Sequence, residues 1–167
     1  MSKKACAFTG HRPEKLPFGE NEQDKRCIDL KATLRAEIEK LIEEGVTHFL
    51  CGMARGVDTF AAETVLSLKE QYPEITLECA IPCETQAEKW NEQQRDRYFG
   101  IVEKCDKETM LQNRYTPDCM FKRNRYMVYN CDVLIAVWDG RPSGTSKTVE
   151  YAKELGKEII VINPKSL

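Results

Sequence analysis

Cys51-Gly52-Met53-Ala54-Arg55-Gly56-Val57-Asp58 places two glycines and an arginine where an apolar run ending at Leu50 gives way to the helical pattern Thr59 to Leu68. A strand, a glycine turn and a helix start in that order make an anion site. Glycines admit a phosphate close to the backbone, while the first N–H groups and the positive dipole end of the helix point at it. Arg55 adds a bidentate, charge-assisted contact. Asp58 either caps its helix or meets a ribose hydroxyl. A second turn, Asp139-Gly140-Arg141-Pro142-Ser143-Gly144-Thr145-Ser146, sets hydroxyls at Ser143, Thr145, Ser146 and Thr148 beside another helix start. It is a second anion cradle, or else simple N-capping by Ser143 or Thr145. Thr9-Gly10-His11-Arg12-Pro13 follows the first apolar run, and Lys122-Arg123-Asn124-Arg125 lies within a helical pattern. Arg123 and Arg125 are about 200° apart around a helix, so one serves the site and the other the structure. Asn124 and Arg125 are assigned to the site. His11 is a hydrogen-bonding loop residue, or an acid or base if Glu14 or Glu63 supplies a carboxylate for hydrolysis. Trp90, Tyr98 and Tyr126 are the candidates for stacking a base.

The elements that must hold these loops alternate along the chain. Short β-type runs cover Ala5 to Thr9, Thr47 to Cys51, Thr76 to Ala80, Glu108 to Leu111, Val133 to Trp138 and Glu158 to Ile162. Amphipathic helical patterns lie between them, which predicts an α/β fold with a mostly parallel sheet and helices on both faces. The first helix spans about Asp24 to Glu44, with Leu30, Leu34, Ile38, Leu41 and Ile42 on one stripe and Gly45 as its stop. The second covers Asp58 to about Gln71 and ends before Pro73. The third opens at Thr85-Gln86-Ala87-Glu88, which has the spacing of a capping box. Two more run from about Met120 to Tyr129 and from Ser146 to Leu155. Gly10 to Gln23 is the one long irregular segment. Ligands of such sheets bind outside the carboxyl ends of the strands, so function is expected in the strand-to-helix loops.

With 167 residues, 41% of them hydrophobic, the chain is expected to form one domain, residues 1–167, around one core. A net charge of −2 argues against holding nucleic acid by bulk positive field and favours a small ligand. No apolar run approaches a membrane span and no signal-peptide pattern opens the chain, so a cytoplasmic protein is expected. The eight cysteines fall mostly in apolar segments, as core thiols do, with no CxxC and two histidines far apart in sequence. Neither metal nor cofactor is expected.

Taken in order, Thr9-Gly10-His11-Arg12-Pro13, Gly52-Met53-Ala54-Arg55-Gly56-Val57-Asp58, Arg123-Asn124-Arg125 and Ser143-Gly144-Thr145 resemble the SLOG superfamily, and within it the YpsA-like group. The resemblance covers nearly the whole chain and implies a Rossmann-like fold that binds nucleotides or nucleotide-derived ligands. It also implies two alternatives: hydrolysis of the N-glycosidic bond of nucleoside monophosphates, as in the LOG branch, and single-stranded DNA binding, as in the DprA branch. LOG enzymes carry Pro-Gly-Gly-x-Gly-Thr-x-x-Glu. Aligned on Gly144-Thr145, that string puts Thr148 where the catalytic glutamate belongs, and Glu150 is about 200° away around the helix. Binding is therefore favoured over catalysis, in a sensing or regulatory role. Self-association is compatible with the chain. The site expected on these grounds comprises Thr9, Gly10, Arg12, Gly52, Arg55, Gly56, Asp58, Asn124, Arg125, Ser143, Gly144, Thr145 and Ser146.

Overall fold

The computed structural model describes residues 3–167. Six parallel strands, β1 (Ala5–Gly10), β2 (His48–Cys51), β3 (Thr76–Ile81), β4 (Lys107–Met110), β5 (Val133–Val137) and β6 (Glu158–Ile162), form one sheet in the order β4-β3-β2-β1-β5-β6. Five helices connect them: α1 (Lys25–Glu43), α2 (Val57–Leu68), α3 (Glu92–Lys104), α4 (Cys119–Tyr129) and α5 (Gly144–Glu154). The strands step outward from β1 to β4, after which the chain returns across the sheet to place β5 on the other side of β1. The loops leaving β1 and β5 therefore diverge, and a crevice opens between them at the carboxyl edge.

Alternation along the strands assigns the helices to two layers. Cys6, Phe8, Phe49, Cys51, Leu77 and Cys79 pack with α1, α2 and α3, whereas Ala7, Leu50, Ala80, Leu134 and Ala136 pack with α4 and α5. The interior strand β5, Val-Leu-Ile-Ala-Val, is wholly buried, while β4 and β6 close the sheet as part-exposed edges. Helix α1 buries Leu30, Leu34, Ile38 and Leu41 completely or nearly so, at about 1.5–3 kcal/mol of stabilisation per side chain. Asp24 caps its start by accepting from the Arg26 N–H. Its stop is a glycine in the left-handed region: Gly45, at φ 106°, donates to the Ile42 carbonyl while Val46 donates to that of Leu41. Gly156 ends α5 in the same way.

One element departs from the sequence reading. Thr85 to Glu88 forms turns, and α3 begins at Glu92, with Asn91 and Gln94 making the reciprocal capping box. The Gln86 side chain donates instead to the Gly52 carbonyl at 3.2 Å, and Ala87 is buried in the core. Those two tertiary contacts outweigh the local cap. Seven of the eight cysteines are buried, Cys105 is half-buried, and all eight are free thiols. Among the described residues, no helix is long and apolar enough to cross a membrane.

Candidate functional site

A cleft of about 500 Å³ opens at the crevice between β1 and β5. Four segments line it: the end of β1 with its loop (Thr9, Gly10, His11, Arg12, Lys15), the β2 loop (Ala54, Asp58), helix α4 (Phe121, Arg123, Asn124) and the first turn of α5 (Ser143, Gly144, Thr145, Lys147). Its floor is held together by glycines whose missing side chains make room for other groups. A Cβ on Gly10 would lie 2.5 Å from a Val57 methyl, and one on Gly52 would lie 2.7 Å from the Arg123 guanidinium carbon. Gly56, at φ 86°, meets the His11 carbonyl, Pro13 and the Arg12 backbone. Met53, buried in the same turn, is held in the left-handed region at φ 64°, at a cost of about 1–2 kcal/mol.

Charge in the cleft divides into a buried interior, where one acid and one cation oppose each other through space, and an unpaired rim. Asp58 and Arg123 are buried. Asp58 accepts from the Ala54 N–H at 3.1 Å, which ties the β2 loop to α2. Arg123 donates to the Gly52 carbonyl and, at 2.8 Å, to the Asn124 side-chain oxygen. Burial pushes the Asp58 carboxyl above its ordinary pKa and the Arg123 guanidinium below its own, and each charge opposes the other's shift. On the rim, Arg12, Lys15 and Lys147 are exposed and form no ion pair among the described residues. They surround a helix start whose Ser143 and Ser146 cap each other reciprocally. The N–H groups of Gly144 and Thr145 stand in that first turn, where a helix offers them no carbonyl. Thr148 is buried and donates to the Gly144 carbonyl, and Glu150 is exposed.

A family model described as the YspA SLOG family, YpsA, matches residues 6–167. The chain belongs to this family. A UPF0398 protein of Bacillus pumilus is 33% identical over 147 residues, covering 86% of this chain and 78% of the relative. One from Bacillus thuringiensis is 30% identical over 158 residues, covering 92% and 85%. Among solved structures, DNA processing protein A from Helicobacter pylori, studied for its single-stranded DNA binding mode, superposes with a TM-score of 0.63 at 18% identity. DNA processing protein A (DprA) from Streptococcus pneumoniae gives 0.62 at 17%. Both cover 96% of this chain, which spans 65% and 50% of theirs, and at these identities the likeness shows the fold.

In this YspA SLOG chain the cleft collects Thr9, Gly10, Arg12, Asp58, Asn124, Ser143, Gly144 and Thr145 from the thirteen residues expected at the site. Gly52 and Ser146 lie behind it, the first seating Arg123 and the second capping α5. Arg125 is exposed beside the cleft and not part of its lining, with its guanidinium 4.6 Å from the Tyr151 ring and 5.3 Å from that of Phe121. Arg123 takes the inward place instead. Cys119, Arg123 and Met127, spaced by four, are buried on one stripe of α4, and that spacing was a usable signal. Lys15 and Lys147 are further additions, one from the irregular segment and one a turn into α5. Of the aromatic candidates, Tyr98 is buried against Trp90 and Phe99, and the Tyr126 hydroxyl donates to the buried Glu78. Phe121 lines the cleft in their place.

Arg55, Gly56 and Trp90 face a neighbouring cleft of about 490 Å³ between α2 and α3. Arg55 is engaged there by Glu14 at 2.5 Å and Glu20 at 3.2 Å. Arg97 bonds Glu22 at 2.6 and 2.9 Å and Glu63 at 2.6 and 2.8 Å, an arrangement that leaves Glu63 far from any hydrolytic role at the first cleft. Arg97 and Lys31 hold the Glu22 carboxyl down at about 2, against an ordinary 4.5. A depressed acid contributes stability above its unfolded pKa and loses it as pH falls through the folded value. Glu22→Gln should therefore flatten the loss of stability between pH 4.5 and about 2, removing on the order of 1–2 kcal/mol after solvent screening. Thermal melts of both proteins across that range measure it.

Proposed function

We propose that this chain binds a nucleotide or nucleotide-derived phosphate ligand in the β1–β5 cleft, as a sensing or regulatory domain. One observation carries the reading: three cations without a carboxylate partner, Arg12, Lys15 and Lys147, converge on the first turn of α5 at the sheet's switch point. A phosphate seated there accepts from the Gly144 and Thr145 N–H groups and the Thr145 hydroxyl while the rim cations neutralise it. The exposed face of Phe121 offers a base a stacking surface. Asn124 and Thr9 supply polar contacts to the sugar. Hydrolysis of the glycosidic bond is the weaker reading, because Thr148 stands where LOG enzymes carry their catalytic glutamate and is committed to the Gly144 carbonyl.

Single-stranded DNA is a second reading, favoured by the fold shared with DNA processing protein A and by an exposed strip of Lys122, Arg125 and Phe121 beside the cleft. A thermal-shift screen with nucleoside mono-, di- and triphosphates, ADP-ribose and a short oligonucleotide separates these readings. A ligand at a hundred times its Kd adds about 2.7 kcal/mol, a rise of about 5–10 °C at this size. The rise should appear with an intact nucleotide and shrink in Lys147→Ala. Free base in the mixture identifies a hydrolase, a salt-sensitive rise with the oligonucleotide alone identifies a DNA-binding domain, and no rise with any of them overturns the proposal.

A further inference from the structure

A third cleft, of about 580 Å³, lies on the other side of the loop that joins β5 to α5. It is continuous with the first: His11, Glu14, Lys15 and Ser143 line both. Its far wall adds Asp139, Arg141 and Lys165. Two observations mark it as built. The first is charge. Arg141 and Lys165 share one carboxylate, Asp139, at 2.9 and 3.3 Å, and Lys15 has no carboxylate at all. Asp139 is itself buried, and its two oxygens also accept from the Arg141 backbone N–H at 3.1 Å and its Nε at 3.0 Å. The other acid, Glu14, is bonded to Arg55. The wall therefore carries a surplus of positive charge, with its acid groups already engaged. The second observation is His11, only 4% exposed, whose Nε2 has no hydrogen-bond partner and stands 3.5 Å from the Asp139 carboxylate. A buried ring nitrogen that meets only one long contact, to Asp139, leaves hydrogen-bonding capacity at the floor of the cleft.

We propose that this third cleft is a second anion subsite, and that the ligand of the whole site carries two linked phosphates, a diphosphate. One phosphate sits at the first turn of α5, and the other at Lys15, Arg141 and Lys165, with Lys15 facing both and His11 forming the floor between them. The inference rests on the reading of the first cleft as a phosphate site and narrows its ligand class. A diphosphate spans the shared boundary, whereas a monophosphate reaches one side only.

Isothermal titration of the full chain with AMP, ADP, inorganic phosphate and pyrophosphate tests it. ADP should bind at least about tenfold tighter than AMP, and pyrophosphate tighter than phosphate by a similar factor, as one further charge-assisted contact provides. Lys165→Ala and Arg141→Ala are changes at exposed side chains, and each should pull the ADP-to-AMP ratio toward one. Equal affinities for AMP and ADP, or a ratio unmoved in both variants, overturn the second subsite while the first cleft stands. Binding of none of the four overturns the phosphate reading of both clefts.

Discussion

Arg123→Ala should lower the stability of the protein by about 3–5 kcal/mol, because it removes the buried cation whose field offsets the desolvation of the buried Asp58 carboxylate, together with the hydrogen bonds that cation makes. Arg123 is nearly inaccessible, at 3% exposure, and is the largest influence holding the Asp58 carboxyl down against the upward push of burial. Its guanidinium also satisfies the Gly52 carbonyl and the Asn124 side chain. A truncated side chain at 123 leaves a cavity under the β2 loop, an unmatched carboxylate and a freed asparagine. At this chain length the loss corresponds to a fall in Tm of about 6–20 °C. Chemical denaturation of Arg123→Ala, Asp58→Asn and the double variant checks the cause. If the two residues act as a pair, the double variant loses less than the sum of the singles, with a coupling of about 0.5–3 kcal/mol. Additive losses would mean that Arg123 stabilises through its packing and its bonds to the Gly52 carbonyl and Asn124, not through Asp58.

Two glycines of the strand-to-helix loops should answer in opposite ways. At Gly56 an added Cβ would stand 2.8 Å from the His11 carbonyl and 3.1 Å from Pro13, on a backbone whose φ of 86° side chains rarely adopt. Gly56→Ala should cost about 1–3 kcal/mol in backbone strain and about as much again in displaced chain. The Arg12 loop would shift with it. At Gly144 no atom lies within 4 Å of the corresponding Cβ and φ is ordinary. Gly144→Val should therefore keep the fold within about 1 kcal/mol, yet abolish nucleotide binding if a phosphate approaches the first turn of α5. Urea melts and the thermal-shift assay, run on both variants, separate a glycine required by packing from one required by a ligand. Unchanged binding in Gly144→Val would remove the α5 turn from the site.

The sheet was legible because parallel strands buried on both faces leave a continuous apolar signature, as Val133 to Val137 does, and because glycine stops such as Gly45 follow from backbone sterics. The start of α3 was not. Two segments both carry capping residues, and the choice between them was made by Gln86 reaching the Gly52 carbonyl, a partner 34 residues away. The same limit applied to the β2 loop. Its glycines suggested room for a ligand, but that room is occupied by Arg123 at Gly52 and by the Arg12 backbone at Gly56. Composition shows that a glycine is required and not what comes close to it. The spacing of Arg123 and Arg125 leaves the helix face ambiguous, and it is the Cys119 and Met127 positions, four residues either side, that turn Arg123 inward. Lys15 and Lys147 were missed because an unpaired charge is defined by the carboxylates absent around it, and those are set by the fold.

The three filled glycine seats bear on how any ligand would be recognised. Val57 against Gly10, Arg123 against Gly52 and the His11 carbonyl against Gly56 lock the β1 loop, the β2 loop and helix α4 into one body as the chain folds. A molecule arriving at the cleft finds little main chain left to immobilise, so the entropy lost on association is chiefly its own. In such a rigid receptor, differences between ligands reflect their internal rotors and the groups they present, and a stiff ligand gains over a floppy one carrying the same groups.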